Sequence, residues 1–254
     1  MSGHSENIEM PSDLSHEPTD GKTVPFDRGS GRALPVLWMH ESDRHPGATE
    51  SFRALKNKLL ALKKVGNLVN FVFTGCEPGV GTSTVVFNLA LVLAQDLPEQ
   101  RVLLVDTNIR RPTLHQVFDI DREPGLTNAL LGNLPVGKVI HDSFLTNLDI
   151  IPVGQTEQTS PSPYDLNEFS NFLDEARSQY GFVLFDSAPA LQSSQTRSIY
   201  AKTDGVVMVA EADRTHWEVV TELKRQLSDD GANLIGAFLN KRKFPIPKWL
   251  YQYI

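Results

Sequence analysis

The first clear periodicity along the chain is helical. In ATESFRALKNKLLALKK (residues 48–64), Phe52, Leu55, Leu59 and Leu62 recur three and four apart with Arg and Lys between them, which predicts an amphipathic helix. The period then changes. LVNFVFTG (68–75) is a short run of branched and aromatic residues closed by glycine, the pattern of a buried strand. STVVFNLALVLAQDL (83–97) reads as a helix, RVLLVDTN (101–108) as a strand and LDIIPVG (148–154) as another. A helix follows over LNEFSNFLDEARSQY (166–180), then strands over FVLFDSAP (182–189) and GVVMVAEA (205–212). HWEVVTELKRQLSDDG (216–231) is a helix closed by Gly231, and LIGAFLNK (234–241) a last strand. Most of these strands are continuous apolar runs rather than alternating ones, so both of their faces are buried. Such strands alternating with helices predict an α/β fold, a parallel sheet with helices on both faces.

Residues 1–45 do not share this pattern. They are rich in Ser, Pro, Gly and His and hold eight acidic residues (Glu6, Glu9, Asp13, Glu17, Asp20, Asp27, Glu41, Asp43) against four basic ones (Lys22, Arg28, Arg32, Arg44). Too little apolar surface is available there to offset the entropy of ordering, so a disordered acidic tail is predicted for 1–45 and one folded domain for 46–254. Only Leu34-Pro35-Val36-Leu37-Trp38 offers an apolar patch for docking. The net charge of -7 argues against nucleic acid as a partner. A single cysteine excludes an internal disulfide framework and fits a reducing compartment. Neither a membrane-length apolar run nor a signal-peptide pattern is visible, so a cytoplasmic location is expected.

Chemistry enters at Gly75-Cys76-Glu77-Pro78-Gly79-Val80-Gly81-Thr82-Ser83-Thr84, between the first strand and its helix. The segment reads as a phosphate loop, G-x-x-x-x-G-K-[ST], with Thr82 where lysine is expected. The glycines let backbone N–H groups converge on phosphate oxygens, and the helix N-terminus adds a favourable dipole. Gly79, Val80, Gly81, Thr82, Ser83 and Thr84 are therefore candidate nucleotide-binding residues, with the Ser83 hydroxyl as a Mg²⁺ ligand. Threonine supplies no charge. A charge-assisted hydrogen bond is worth about 1.5–3 kcal/mol against about 1 for a neutral one. Losing one electrostatic stabiliser of a transition state costs on the order of 10²–10³ in rate. Glu77 adds a carboxylate near the phosphate entrance.

Two strands end in carboxylates: Asp106 in VLLVDTNIRRP and Asp186 in VLFDSAP. A lone strand-end aspartate commonly caps a turn. Two beside a phosphate loop offer Mg²⁺ the hard oxygen ligands it takes, at the end of the sheet where ligands collect. Asp106 and Asp186 are thus candidate catalytic and metal-binding residues. The seven histidines are scattered, Trp217 beside His216 is expected to pack at a helix start, and Cys76 to be a small filler.

Together these motifs resemble the cytoplasmic domain of the bacterial tyrosine kinases that govern capsule and exopolysaccharide export, within the ParA/MinD-like deviant P-loop class. That family follows its loop with a strand ending D-x-D-x-R-x-P and another ending D-[ST]-x-P. Here Asp106, Arg110 and Pro112 match the first, and Asp186, Ser187 and Pro189 the second. The likeness runs from about Glu50 to the C-terminus. Glu50-Ser51-Phe52-Arg53-Ala54-Leu55-Lys56 resembles the E-x-x-R-x-x-R helix of self-association, with Lys in its last position. Gly125–Gly132 resembles G-L-S-D-x-L-x-G, Ser160–Pro163 resembles a Pro-rich turn, and Asn240 sits where the family contacts adenine. The resemblance implies a P-loop NTPase-like fold that binds ATP or ADP with Mg²⁺, with Arg110 and Asn240 also at the nucleotide. It further implies a homo-oligomer formed through Glu50, Arg53 and Lys56. The implied partner is a membrane-bound polysaccharide co-polymerase (chain-length) protein, which would hold the chain at the inner face of the cell membrane without direct insertion.

Three departures touch phosphotransfer: Thr82, Asn108 in place of the second D-x-D aspartate, and a C-terminus with only Tyr251 and Tyr253 where the family has a tyrosine cluster. The expectation is a kinase-like protein, weak or inactive in transfer. Its rivals are a ParA/MinD-like positioning ATPase, which would carry a lysine where this chain has Glu77, and a nucleotide-free scaffold.

Overall fold

The structure, a computed structural model, describes residues 46–132, 134–155 and 162–242. The tail over 1–45 with its Leu34–Trp38 patch lies outside the described residues, as do Ser160, Pro161, Tyr251 and Tyr253. Seven strands form one sheet: β1 (Asn70–Gly75), β2 (Val102–Asp106), β3 (His141–Asp142), β4 (Leu148–Ile151), β5 (Phe182–Ser187), β6 (Gly205–Glu211) and β7 (Leu234–Asn240). Their order is β3-β4-β2-β5-β1-β6-β7. Every pairing is parallel except β3 with β4. The predicted parallel sheet is therefore present with one correction, a two-residue antiparallel edge strand too short to leave a periodic signal.

Helices α1 (Pro46–Gly66) and α2 (Thr82–Asp96) correspond to the first two predicted helices, and α5 (Asn167–Gln179) and α7 (Trp217–Asp229) to the last two. Short helices α3 (Leu114–Phe118), α4 (Leu126–Leu130) and α6 (Arg197–Lys202) span less than two turns, which hides their period in sequence. The third predicted strand stops at Ile151 rather than Gly154, because Pro152 has no amide to continue the ladder.

The strands divide their side chains between two cores. Phe71, Phe73, Leu104 and Leu184 face α1 and α2. Val72, Val105, Val183 and Phe185 face α4, α5, α6 and α7. Helix α2 is buried over ten consecutive residues, Val85–Ala94, which is why its sequence is apolar all round. Trp217 departs from expectation: it is 76% exposed, because the buried stripe of α7 runs through Leu223 and Leu227 instead.

The strand order places the site. β5 is inserted between β2 and β1, with Asp186 opposite Asp106 on one side and Phe73 on the other. Both carboxylates consequently stand at the carboxyl end of the sheet, beside the loop that leaves β1.

Candidate functional site

The loop after β1 carries two residues in the left-handed region, Gly79 (φ 81°) and Gly81 (φ 88°), a conformation glycine adopts without strain. Gly81 has a second constraint, since a Cβ there would stand 2.5 Å from Asn240 Nδ2. In α2, Val85 is the first residue whose amide meets a backbone carbonyl, that of Gly81 at 3.0 Å. The preceding amides of this first turn face no backbone acceptor among the described residues, as at any helix start open to an anion. Counted back from Gly81, the opening glycine of the phosphate-loop pattern falls on Cys76, so Gly75 lies one residue outside it. Cys76 is buried, and burial together with Glu77 pushes its thiol up to about 11, which leaves it a filler. The half-buried Thr82 turns its hydroxyl beneath the loop, 2.8 Å from where a Cβ on Gly75 would be.

The two aspartates differ sharply. Asp106 accepts the Asn108 amide at 2.9 Å on one oxygen, and the Thr113 and Leu114 amides at 2.9 and 3.2 Å on the other. It thereby fixes the turn that leads into α3. Burial pushes its carboxyl up to about 6 although those three amides pull the other way. Asp186 is equally buried, yet neither of its oxygens has a hydrogen-bond partner among the described residues. Burial raises its carboxyl well above the ordinary range and the Asp106 charge adds to this. The Ser83 hydroxyl opposes the rise, lying close enough to favour the charged form without hydrogen-bonding geometry. Between the strands, Thr107 donates its amide and hydroxyl to the Asp186 carbonyl at 2.9 and 2.8 Å. The buried Tyr164 hydroxyl donates to the Thr107 carbonyl at 3.0 Å.

A buried carboxylate without a donor is costly unless a ligand satisfies it. With the Ser83 hydroxyl beside it, Asp186 fits a hard cation that keeps several waters and takes one or two protein carboxylates plus substrate phosphates, as Mg²⁺ does. The described residues contain no group of three or more His, Cys, Asp or Glu able to hold a metal by themselves.

The remaining sequence candidates fall around this centre. Asn108 accepts the Arg111 amide at 3.1 Å, so its side chain closes a local turn. Arg110 and Thr84 are exposed. Asn240 directs its amide to the Val80 carbonyl at 2.8 Å. Sequence reasoning missed Lys241, which donates to the Gly79 carbonyl at 2.7 Å and to Glu211 at 3.0 Å. Only its place directly after Asn240 could have drawn notice. On α1, Lys56 reaches Asp96 at 2.6 Å and Arg53 lies 3.9 Å from the same carboxylate, while Glu50 is exposed.

A phosphate loop after the first strand, with buried carboxylates ending two neighbouring strands of a mostly parallel sheet, defines an α/β protein of the P-loop fold class. The chain belongs to the family described as cellulose biosynthesis protein BcsQ, which matches residues 68–242. The EpsB protein of Ralstonia solanacearum is 36% identical over 193 residues, which are 75% of this chain and 25% of EpsB. The chain thus spans about a quarter of the length of that relative. The tyrosine-protein kinase YwqD of Bacillus subtilis is 28% identical over 85% of this chain and 90% of its own. Among solved structures, the kinase domain of Escherichia coli tyrosine kinase ETK matches with a TM-score of 0.74 and 26% identity over 88% of each chain. The septum site-determining protein MinD of Pyrococcus horikoshii, complexed with Mg-ADP, shares the fold at a TM-score of 0.58 and 19% identity over 73% of this chain and 76% of its own.

Proposed function

We propose that the chain is a tyrosine-kinase-like P-loop protein of bacterial exopolysaccharide or capsule assembly that binds ATP or ADP with Mg²⁺ and transfers phosphate weakly or not at all. The observation that carries this reading is the unpartnered Asp186 carboxylate beside Ser83 at the mouth of the loop. Gly79, Val80, Gly81, Thr82, Ser83 and Thr84 receive the phosphates through backbone amides. Ser83 and Asp186 hold the cation, with Asp106 behind them fixing the 107–114 turn. Bound Mg²⁺ would neutralise phosphate charge that this loop, lacking lysine, leaves unmatched. Asp106 and Asp186 are also the carboxylates available to an attacking hydroxyl. Asn108 can neither take its proton nor add negative charge, which together with Thr82 supports weak transfer. Arg110 and Asn240 flank the nucleotide.

The same reading assigns a membrane-bound polysaccharide co-polymerase as partner and a peripheral place at the inner membrane face. No helix among the described residues is long and apolar enough to cross a membrane. Self-association uses the Glu50–Arg53–Lys56 face of α1, where Lys56 and Arg53 would have to leave Asp96.

Calorimetric titration of ATP and ADP with Mg²⁺ tests the site. Wild type is expected to bind, Thr82→Lys to bind about ten-fold tighter through a charge-assisted contact, and Gly81→Asp to bind nothing. If neither wild type nor Thr82→Lys binds, the nucleotide reading fails. Phosphotyrosine at Tyr251 or Tyr253 after incubation with ATP alone would remove the weak-transfer half of it.

A further inference from the structure

The end of β7 grips the phosphate loop from one flank. Asn240 holds the Val80 carbonyl at 2.8 Å and Lys241 holds the Gly79 carbonyl at 2.7 Å. A trans peptide points its C=O and the following N–H in opposite directions. Drawing these two carbonyls toward β7 therefore turns the amides of Val80 and Gly81 away from it. β7 lies on one side of β1, across β6, and β5 with Asp186 lies on the other. The two amides therefore do not face β7, and the strand that carries the unpartnered carboxylate lies across β1 from it.

We infer that Asn240 and Lys241 are positioning residues of the phosphate site, orienting the Val80 and Gly81 amides as anion donors before a ligand arrives. The inference rests on the nucleotide-site reading above and adds residues to it. Lys241 sits at φ 55°, a region non-glycine residues seldom occupy, so its backbone conformation needs support from its surroundings. Its ammonium is aimed by two acceptors, the Gly79 carbonyl and Glu211, and Glu211 is itself held by Arg214 at 3.2 Å. The absence of a Cβ at Gly81 leaves room for the Asn240 amide. In a loop with threonine at position 82, backbone amides carry most of the anion recognition, so their orientation matters more than it would beside a lysine.

The test compares wild type with Lys241→Met, which keeps the stem and removes the donor, with Lys241→Arg, which restores a donor, and with Asn240→Ala. Amide resonances of Val80 and Gly81 are recorded in the free proteins, and affinities are measured for ADP, pyrophosphate and adenosine. Lys241→Met and Asn240→Ala are expected to shift both resonances and to bind ADP and pyrophosphate about ten-fold more weakly, the loss of one charged or neutral tie. Lys241→Met leaves adenosine affinity at the wild-type value, and Lys241→Arg recovers most of the loss. Unmoved resonances overturn the inference. So does an equal loss for adenosine and ADP in Lys241→Met, which would not be a loss of phosphate recognition. If wild type binds neither ADP nor pyrophosphate, the nucleotide reading falls, and the resonances alone decide whether β7 orients the loop.

Discussion

The two ends of the sheet use the same residue type in opposite ways. At the amino ends of the strands, Asp204 accepts the Val69 and Asn70 amides at 2.7 and 2.8 Å and pairs with Arg177. Asp149 accepts the Tyr180 hydroxyl at 2.8 Å and pairs with Arg101. At the carboxyl ends, Asp106 is met by backbone amides alone and Asp186 by nothing in hydrogen-bonding geometry. The first pair joins chain segments far apart in sequence. In the second pair Asp186 has no donor among the described residues, and the resting fold is less stable for carrying it. The two aspartates at the amino ends thus carry cationic partners, and the two at the carboxyl ends carry none among the described residues.

The sharpest way to break the comparison is Asp204→Ala. It orphans two strand amides and a partly buried guanidinium, so a loss of about 3 kcal/mol is expected in urea unfolding, with ADP affinity unchanged in the fraction that stays folded. An equally large loss of affinity would show that the two ends are not separable. Next in size is Asp186→Asn, which should stabilise the fold by about 1 kcal/mol while weakening Mg²⁺-dependent nucleotide binding at least ten-fold. Destabilisation by this variant would mean that the carboxylate has a structural partner after all.

The pH dependence is smaller and has a definite sign. A carboxyl whose folded pKa is raised binds more protons in the native state than in the unfolded one, so its contribution to stability falls as pH rises. The advantage of Asp186→Asn over wild type should be absent below about pH 4, the ordinary range for Asp, and should grow as pH rises above it. Urea midpoints for the two proteins across pH 3.5–8 measure it, and a constant difference would refute it. The same raised pKa makes Mg²⁺ compete with a proton. Mg²⁺-dependent ADP affinity should therefore weaken as pH falls, and Asp106, raised to about 6, adds to the loss as it protonates.

Much of this was legible in the chain. The strands β1, β2, β5 and β6 are buried on both faces and so appear as unbroken apolar runs such as Phe71-Val72-Phe73. Asp106, Asp186, Gly81 and Ser83 could be found because loop chemistry fixes their spacing within short segments. Distant partners could not. Lys241 meets Gly79 across 162 positions and Asp204 meets Asn70 across 134, and neither has a local sequence pattern. The difference between Asp106 and Asp186 was equally hidden, because it depends on which amides the 107–114 turn delivers to one of them.

The unpartnered carboxylate also has a thermodynamic consequence. A ligand that meets Asp186 only in the folded state would raise the apparent stability by mass action. The free fold therefore holds in reserve a stabilisation that a hard cation or a proton at Asp186 would release.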